Sequence, residues 1–151
     1  MNDLDALETW AAPLLAKLQP AARTKLARTV AQDLRRSQQK RIKQQRNPDG
    51  TPYVKRKPRQ LQAKAGRIAR QREMFLKLRT ARHLRVQADQ GGATVGFMGL
   101  VARIARIHQH GLQARAERTS SLVKYSQREL LGLTEADREQ IRDALLDHLT
   151  L

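Results

Sequence analysis

The sequence predicts an α+β fold: an N-terminal helical hairpin with a long basic helix, a small antiparallel sheet (a hairpin near 83–97 plus a strand near 122–126), a short helix over 100–109 and a C-terminal helix over 134–149. Three observations carry that reading. Apolar residues in the N-terminal part recur at steps of three and four, the spacing of one helix face. Around residues 83–97 the pattern switches to a two-residue alternation about a glycine turn. Of the 60 apolar residues, 41 are Ala or Leu, a bias towards helix and small-residue packing rather than a large aromatic core.

Leu4, Leu7, Ala11, Leu14, Leu15 and Leu18 draw the first stripe, with Asn2 or Asp3 placed to cap it and Asp5 and Glu8 where the helix dipole favours acids. Pro13 has no amide hydrogen to donate and clashes one turn back, so a kink or restart near Ala12 is expected. Pro20 opens a second helix at the position proline favours, running to about Arg46 with Leu26, Val30, Leu34 and Ile42 on one stripe. Arg35, Arg36, Lys40, Arg41, Lys43 and Arg46 crowd its second half, which has only Ile42 to bury. Within a single domain spanning 1–151, residues 35–60 are therefore expected to project as a basic helix and loop, or to pair with another subunit. Pro48, Asp49, Gly50 and Pro52 end the helix in a dense turn, and Lys55, Arg56, Lys57 and Arg59 follow as an extended basic segment, expected to be disordered or ordered by a partner.

A third helix is expected over about 61–82, with Leu61, Ala65, Ile68, Phe75 and Leu78 on one side. The hairpin comes next, turning at Gln90-Gly91-Gly92 and needing a third strand, a helix or a neighbouring subunit for support. Gly99 precedes the short helix, which carries Val101, Ile104, Ala105 and His108 on one side and stops at Gly111. Residues 112–120 read as loop. Thr134 caps the last helix with Asp137 three residues on, close to a capping box, and Ile141, Leu145 and Leu149 form its apolar side.

The chain has 30 Lys+Arg against 14 Asp+Glu, a net charge of +16 that is unevenly spread. Residues 1–20 carry −2 and 129–151 carry −4, whereas 21–89 carry +17 and 90–128 carry +5. A block so dense must face water or an anionic partner, since unpaired buried charge is too costly. A solvated helical face complemented by the acidic ends, and a polyanion contact, both satisfy that requirement. Tyr53 is the only aromatic between Trp10 and Phe75, so no stacking platform accompanies the charge and any nucleic-acid binding would be sequence-indifferent. The absence of cysteine excludes a disulfide scaffold, a thiol nucleophile and thiolate metal sites. The apolar runs are too short to span a bilayer and the start is acidic, which points to a protein made and kept in the cytoplasm, without a membrane partner.

Little else suggests chemistry. No nucleophile–base pair, phosphate loop or tuned carboxylate pair stands out. His108 and His110 diverge on a helix and have no acid beside them, so no metal is expected and His108 reads as a packing or interface residue. The expectation is a protein that is not an enzyme and needs no cofactor.

From Val95 onward the chain resembles a known family. Residues 95–112 resemble the strand, turn and A-x-[IV]-H-x-x-G helix of the phage virion morphogenesis family, the tail completion proteins of temperate contractile-tailed phages, protein S type. Residues 45–53 resemble its R-x-P-D-G-T-P-[YW] loop, and residues 125–133 its Y-P-x-R-x-L-L-G-L segment, with Ser126 standing where proline is common. Three spaced motifs in the same order are more specific than any one. The resemblance implies a structural ring or adaptor at the neck or upper tail, needed to finish the tail and allow head–tail joining. It implies a self-assembled ring, sixfold to match the tail, other tail and neck proteins as partners, and a place in the host cytoplasm during assembly and then in the virion. Pro48, Asp49 and Gly50 would fix the exit angle of the basic helix. Gly96 and Gly99 would allow close backbone approach, Gly111 would end the short helix, and His108, Tyr125, Arg128 and Gly132 complete the motif set. Arg35, Arg36, Lys40, Arg41, Lys43, Arg46, Lys55, Arg56 and Lys57 would meet DNA non-specifically in the lumen or an acidic neighbour. One such neighbour is the last helix of an adjacent subunit, around Asp137, Glu139, Asp143 and Asp147.

Overall fold

Two apolar cores are strung along one long helix. The structure, a computed structural model, describes residues 3–56, 73–115 and 118–149. Helix α1 (Asp3–Leu15) and helix α2 (Pro20–Lys43) form the expected hairpin. They are followed by strands β1 (Leu84–Asp89) and β2 (Gly92–Phe97), helix α3 (Leu100–His110), strands β3 (Gln113–Arg115) and β4 (Leu122–Lys124), and helix α4 (Glu135–Leu149). Among the described residues, no helix is long and apolar enough to cross a membrane.

The first core gathers Ala11 of α1, Leu26 of α2 and Leu145 of α4, with Leu15, Leu18, Val30, Ile141 and Ala144 packed around them. These are the stripes that the helical periodicity picks out. Helix α1 runs unbroken through Pro13 and ends two residues later. The proline thus falls in the last turn, where one missing bond ends a helix without forcing a restart. At the start of α4 the Asp137 amide donates to Thr134 Oγ1 and the Thr134 amide to Asp137 Oδ2, both at 3.0 Å, a reciprocal capping box. Asp137 also accepts from the Ser37 hydroxyl, which ties α4 to α2. It is 2% exposed, so it is not available to a neighbouring subunit as expected.

The second core gathers Ile42, Tyr53, Met74, Leu78, Ala105 and Leu130, with Phe75, Phe97 and Val101 against it. The second half of α2 therefore does not project. The β1–β2 hairpin, in register from Leu84↔Phe97 to Asp89↔Gly92, packs along α2, and Gln38, Arg41 and Ile42 are all buried. One apolar residue suffices because polar side chains fill the neighbouring inward positions and bond there through the Gln38 amide and both terminal nitrogens of Arg41, although Arg41 Nε finds no partner.

Two further expectations change, one for the sheet and one for the third helix. The 122–124 strand joins no hairpin sheet: β4 pairs antiparallel with β3, from Gln113↔Lys124 to Arg115↔Leu122, inside the stretch expected as loop. The expected third helix lies outside the described residues up to 72, and residues 74–83 form successive turns instead. Phe75, at φ 67, breaks any helix there.

Candidate functional site

The three motif segments, scattered between residues 45 and 133, meet at one place. Residues 125–133 form neither helix nor strand and bend at 130–131, so their backbone groups must find bonds elsewhere. Side chains from α2, α3 and the 46–53 turn supply them. The amide of Arg128 donates to the His108 carbonyl at 2.7 Å and that of Glu129 to Asn47 Oδ1 at 2.9 Å. The amides of Leu130 and Leu131 donate to Gln109 Oε1 at 2.8 and 2.9 Å, and that of Gly132 to Gln38 Oε1 at 3.1 Å. The carbonyls are met in the same way. Gln109 Nε2 reaches Leu131 O at 2.8 Å and Gln38 Nε2 reaches Gly132 O at 2.9 Å, so two glutamines act as strand partners.

Arg41 is the centre of this lattice. Its guanidinium donates to the carbonyls of Arg46 (2.9 Å), Glu129 (2.8 Å) and Leu130 (2.7 Å) and to Gln38 Oε1 (2.7 Å), with Tyr53 Oη at 3.4 Å. The planar fork suits this task because it aims several donors in fixed directions. Tyr53 in turn donates to Glu129 O at 2.9 Å, and burial raises its hydroxyl pKa. At the other end of the segment Arg128, 5% exposed, donates to Val54 O at 2.6 Å and Lys55 O at 3.2 Å, joining 125–133 to the chain leaving the turn.

The turn itself is pre-set by local chemistry. Helix α2 closes with Gln45 at φ 57, its amide bonding Ile42 O and the next amide bonding Arg41 O, the paired bonds of a Schellman end. A non-glycine residue tolerates this φ here because its side chain is anchored: Gln45 Oε1 accepts from the Met74 amide and Nε2 donates to Met74 O, each at 2.9 Å. Asp49 Oδ1 accepts from the Thr51 amide and hydroxyl, which lowers its carboxyl pKa, and Arg46 bridges back to Pro52.

Glycine is required where segments touch. A Cβ on Gly132 would overlap the Pro48 ring, so the second motif docks on the third only without a side chain at 132. Gly111 stops α3 at φ 62, and a Cβ there would press on the Gln127 backbone at 3.1 Å. Gly96 and Gly99 make no such approach: a Cβ on either meets nothing within 4 Å, although Gly99 does adopt φ 74.

His108 stands in an aromatic row, with Tyr53 and Phe75 at 5.8 Å, Phe75 and His108 at 4.8 Å, and His108 and Tyr125 at 5.2 Å, each pair edge-on. Burial, reinforced by Arg128 and Arg56, lowers its pKa to about 4, so the ring is neutral at pH 7. A neutral imidazole, a tyrosine shifted upwards and two arginines bonded to carbonyls together hold this backbone in place.

The junction takes in Pro48, Asp49, Gly50, His108, Gly111, Tyr125, Arg128 and Gly132 of the motif set, and adds Gln38, Gln45 and Gln109, which sequence reasoning missed. A signal existed for Gln38, which continues the four-residue steps of Leu26, Val30 and Leu34 towards Ile42. The basic set divides. Arg36, Lys40, Lys43, Arg46, Lys55 and Arg56 are exposed, Arg35 is half-buried, Arg41 is consumed inside the fold, and Lys57 lies outside the described residues. Arg36 leans on Asp33 at 3.6 Å.

Residues 2–150 match the phage virion morphogenesis family. The chain belongs to that family. The tail completion protein S of Escherichia phage P2 is 37% identical to it over 150 residues, 99% of each chain. No solved structure matches it. Both cores and the junction lie within the stretch that matches the virion morphogenesis family.

Proposed function

We propose that this chain completes the phage tail as a structural, non-enzymatic protein, a ring or adaptor at the neck or upper tail that makes the tail competent to join the filled head. The observation that carries this is the full-length likeness to a tail completion protein, 37% identical over 150 residues. The junction supports it, because its buried polar groups are spent on fixing one backbone path, which is what a subunit that must present a constant shape requires. On this reading the protein acts in the host cytoplasm during assembly and ends in the virion, with other tail and neck proteins and further copies of itself as partners, and without a cofactor. Electron microscopy of particles from a phage lacking the gene tests it. Tailless heads and unfinished tails are expected, and normal joined virions would end the proposal.

A second reading rests on one groove, where Lys40 and Lys43 of α2 face Arg79 beside Gln39 and Thr80. Such a cluster fits a phosphate backbone without reading bases, as DNA passing through a ring lumen would need. Affinity for duplex DNA should then fall steeply across a salt series and change little with sequence. A flat salt response would remove this reading and leave the first intact.

A further inference from the structure

Unlike surfaces lie at the two ends of α2. Leu26, in the first core, and Ile42, in the second, are 16 residues apart in α2, about 24 Å along a helix axis. At the first end sit α1, with three acids and no basic residue, and α4, with five acids against two arginines. Beyond the buried Asp137, their Glu8, Glu139, Asp143 and Asp147 are exposed, and Leu4, Trp10 and Leu146 keep 40 to 49% of their surface.

At the second end α3 is apolar on two sides. Val101 and Ala105 face the core, while Leu100 and Ile104, one turn apart on another face, are 93% and 49% exposed next to Met98 at 63%. Arg103 and Arg106 are exposed on the same helix. A soluble monomer gains nothing from holding such a strip in water, and strips of this kind mark contact surfaces.

We propose that the α3 strip of one copy docks on the α1–α4 surface of the next. The apolar residues are buried between them, and Arg103 and Arg106 meet Glu139 and Asp143. Charge complementarity selects a second copy as the occupant: the basic, apolar end of this chain fits its own acidic, apolar end. The two patches differ, so each joined pair keeps one free patch of each kind, and the contact repeats head to tail until a ring closes. This rests on the ring reading above and adds the surfaces through which it forms.

The test uses the full chain in sedimentation and native mass measurements over a concentration series. Wild type is expected at multiples of 17.2 kDa. Arg103→Glu with Arg106→Glu, and separately Glu139→Arg with Asp143→Arg, are expected to fall to monomer. An equimolar mixture of the two proteins should reassemble, because each then offers the charge the other lacks. Leu100→Ser, at a site with no folding contact to lose, should weaken association about tenfold or more. Matching circular dichroism and melting curves establish that the variants are folded. A wild type that stays monomeric, reversed variants that assemble like wild type, or a mixture that stays apart would each overturn the interface. Complementation of a gene-deficient phage is read separately. Finished tails built from a protein monomeric in solution would sink the interface and leave tail completion standing, whereas assembled rings that never finish a tail would do the opposite.

Discussion

Gly132 and His108 show how single residues fix the junction. Gly132 is needed because the Pro48 ring occupies the volume a side chain would take. Gly132→Ala should therefore destabilise the fold by about 1 to 3 kcal/mol, the range for overfilling a packed contact, measurable as a lower denaturant midpoint. Gly96→Ala, with open space around it, should cost much less. His108 makes the fold sensitive to acid. Its ring binds a proton near 6.5 when unfolded and at about 4 when folded, so between those values the unfolded chain holds more protons. The contribution is complete above the unfolded value and is lost as pH falls towards the folded one. Melting temperatures of wild type and His108→Gln, followed from neutral pH down to about 4.5, should converge as the wild type loses more. Parallel curves would show that the ring is not the titrating group.

Among the elements, α2 decides most. Its second half carries both an exposed basic face and the buried Arg41, and the two should respond very differently to substitution. Arg41→Lys keeps the charge but loses the fork that reaches three carbonyls and Gln38; a loss of about 2 to 3 kcal/mol is expected from unmet buried acceptors. Arg36→Ala, on the exposed face, should stay within about 0.5 kcal/mol of wild type. Equal effects in a urea titration would contradict the placement of Arg41. At α4, Thr134→Ala removes one half of the capping box and should cost about 1 kcal/mol. Asp137→Ala should cost more, since it also strands the Ser37 hydroxyl that joins α4 to α2.

For the whole molecule the net charge of +16 matters less than its arrangement. Helices α1 and α4 carry eight acids against two arginines, whereas the exposed Arg36, Lys40, Lys43, Arg103 and Arg106 lie on the second half of α2 and on α3, with Lys17, Lys25 and Arg28 exposed nearer the first end. Reversing Lys40 and Lys43 together should reduce infectivity without lowering the melting temperature, because both are exposed. Unchanged infectivity would show that this face serves only solubility. Reversal at Arg41 cannot answer the same question, because it would unfold the junction first.

Periodicity and turn chemistry are local, so the sequence alone determined the helical hairpin, the β1–β2 hairpin, the α3 stop at Gly111 and the Thr134 cap. Each depends on residues a few positions apart. The motif resemblance likewise pointed to the family, because it compares residue patterns without needing their contacts. Tertiary structure decided what a charged or polar residue does. Arg36 and Arg41 look alike in sequence, yet one faces water and the other binds carbonyls nearly 90 residues away. Gln38 shows only its place on the inward stripe of α2, Gln109 carries no local sign that it would bond residues 130–131, and Gly132 none that Pro48 would lie against it. The docking of one face of a basic half-helix expected to project, through Gln38 and Arg41, follows from the same cause. A backbone stretch without a strand partner must satisfy its amides and carbonyls, and whichever polar side chains the fold brings within reach become part of the core.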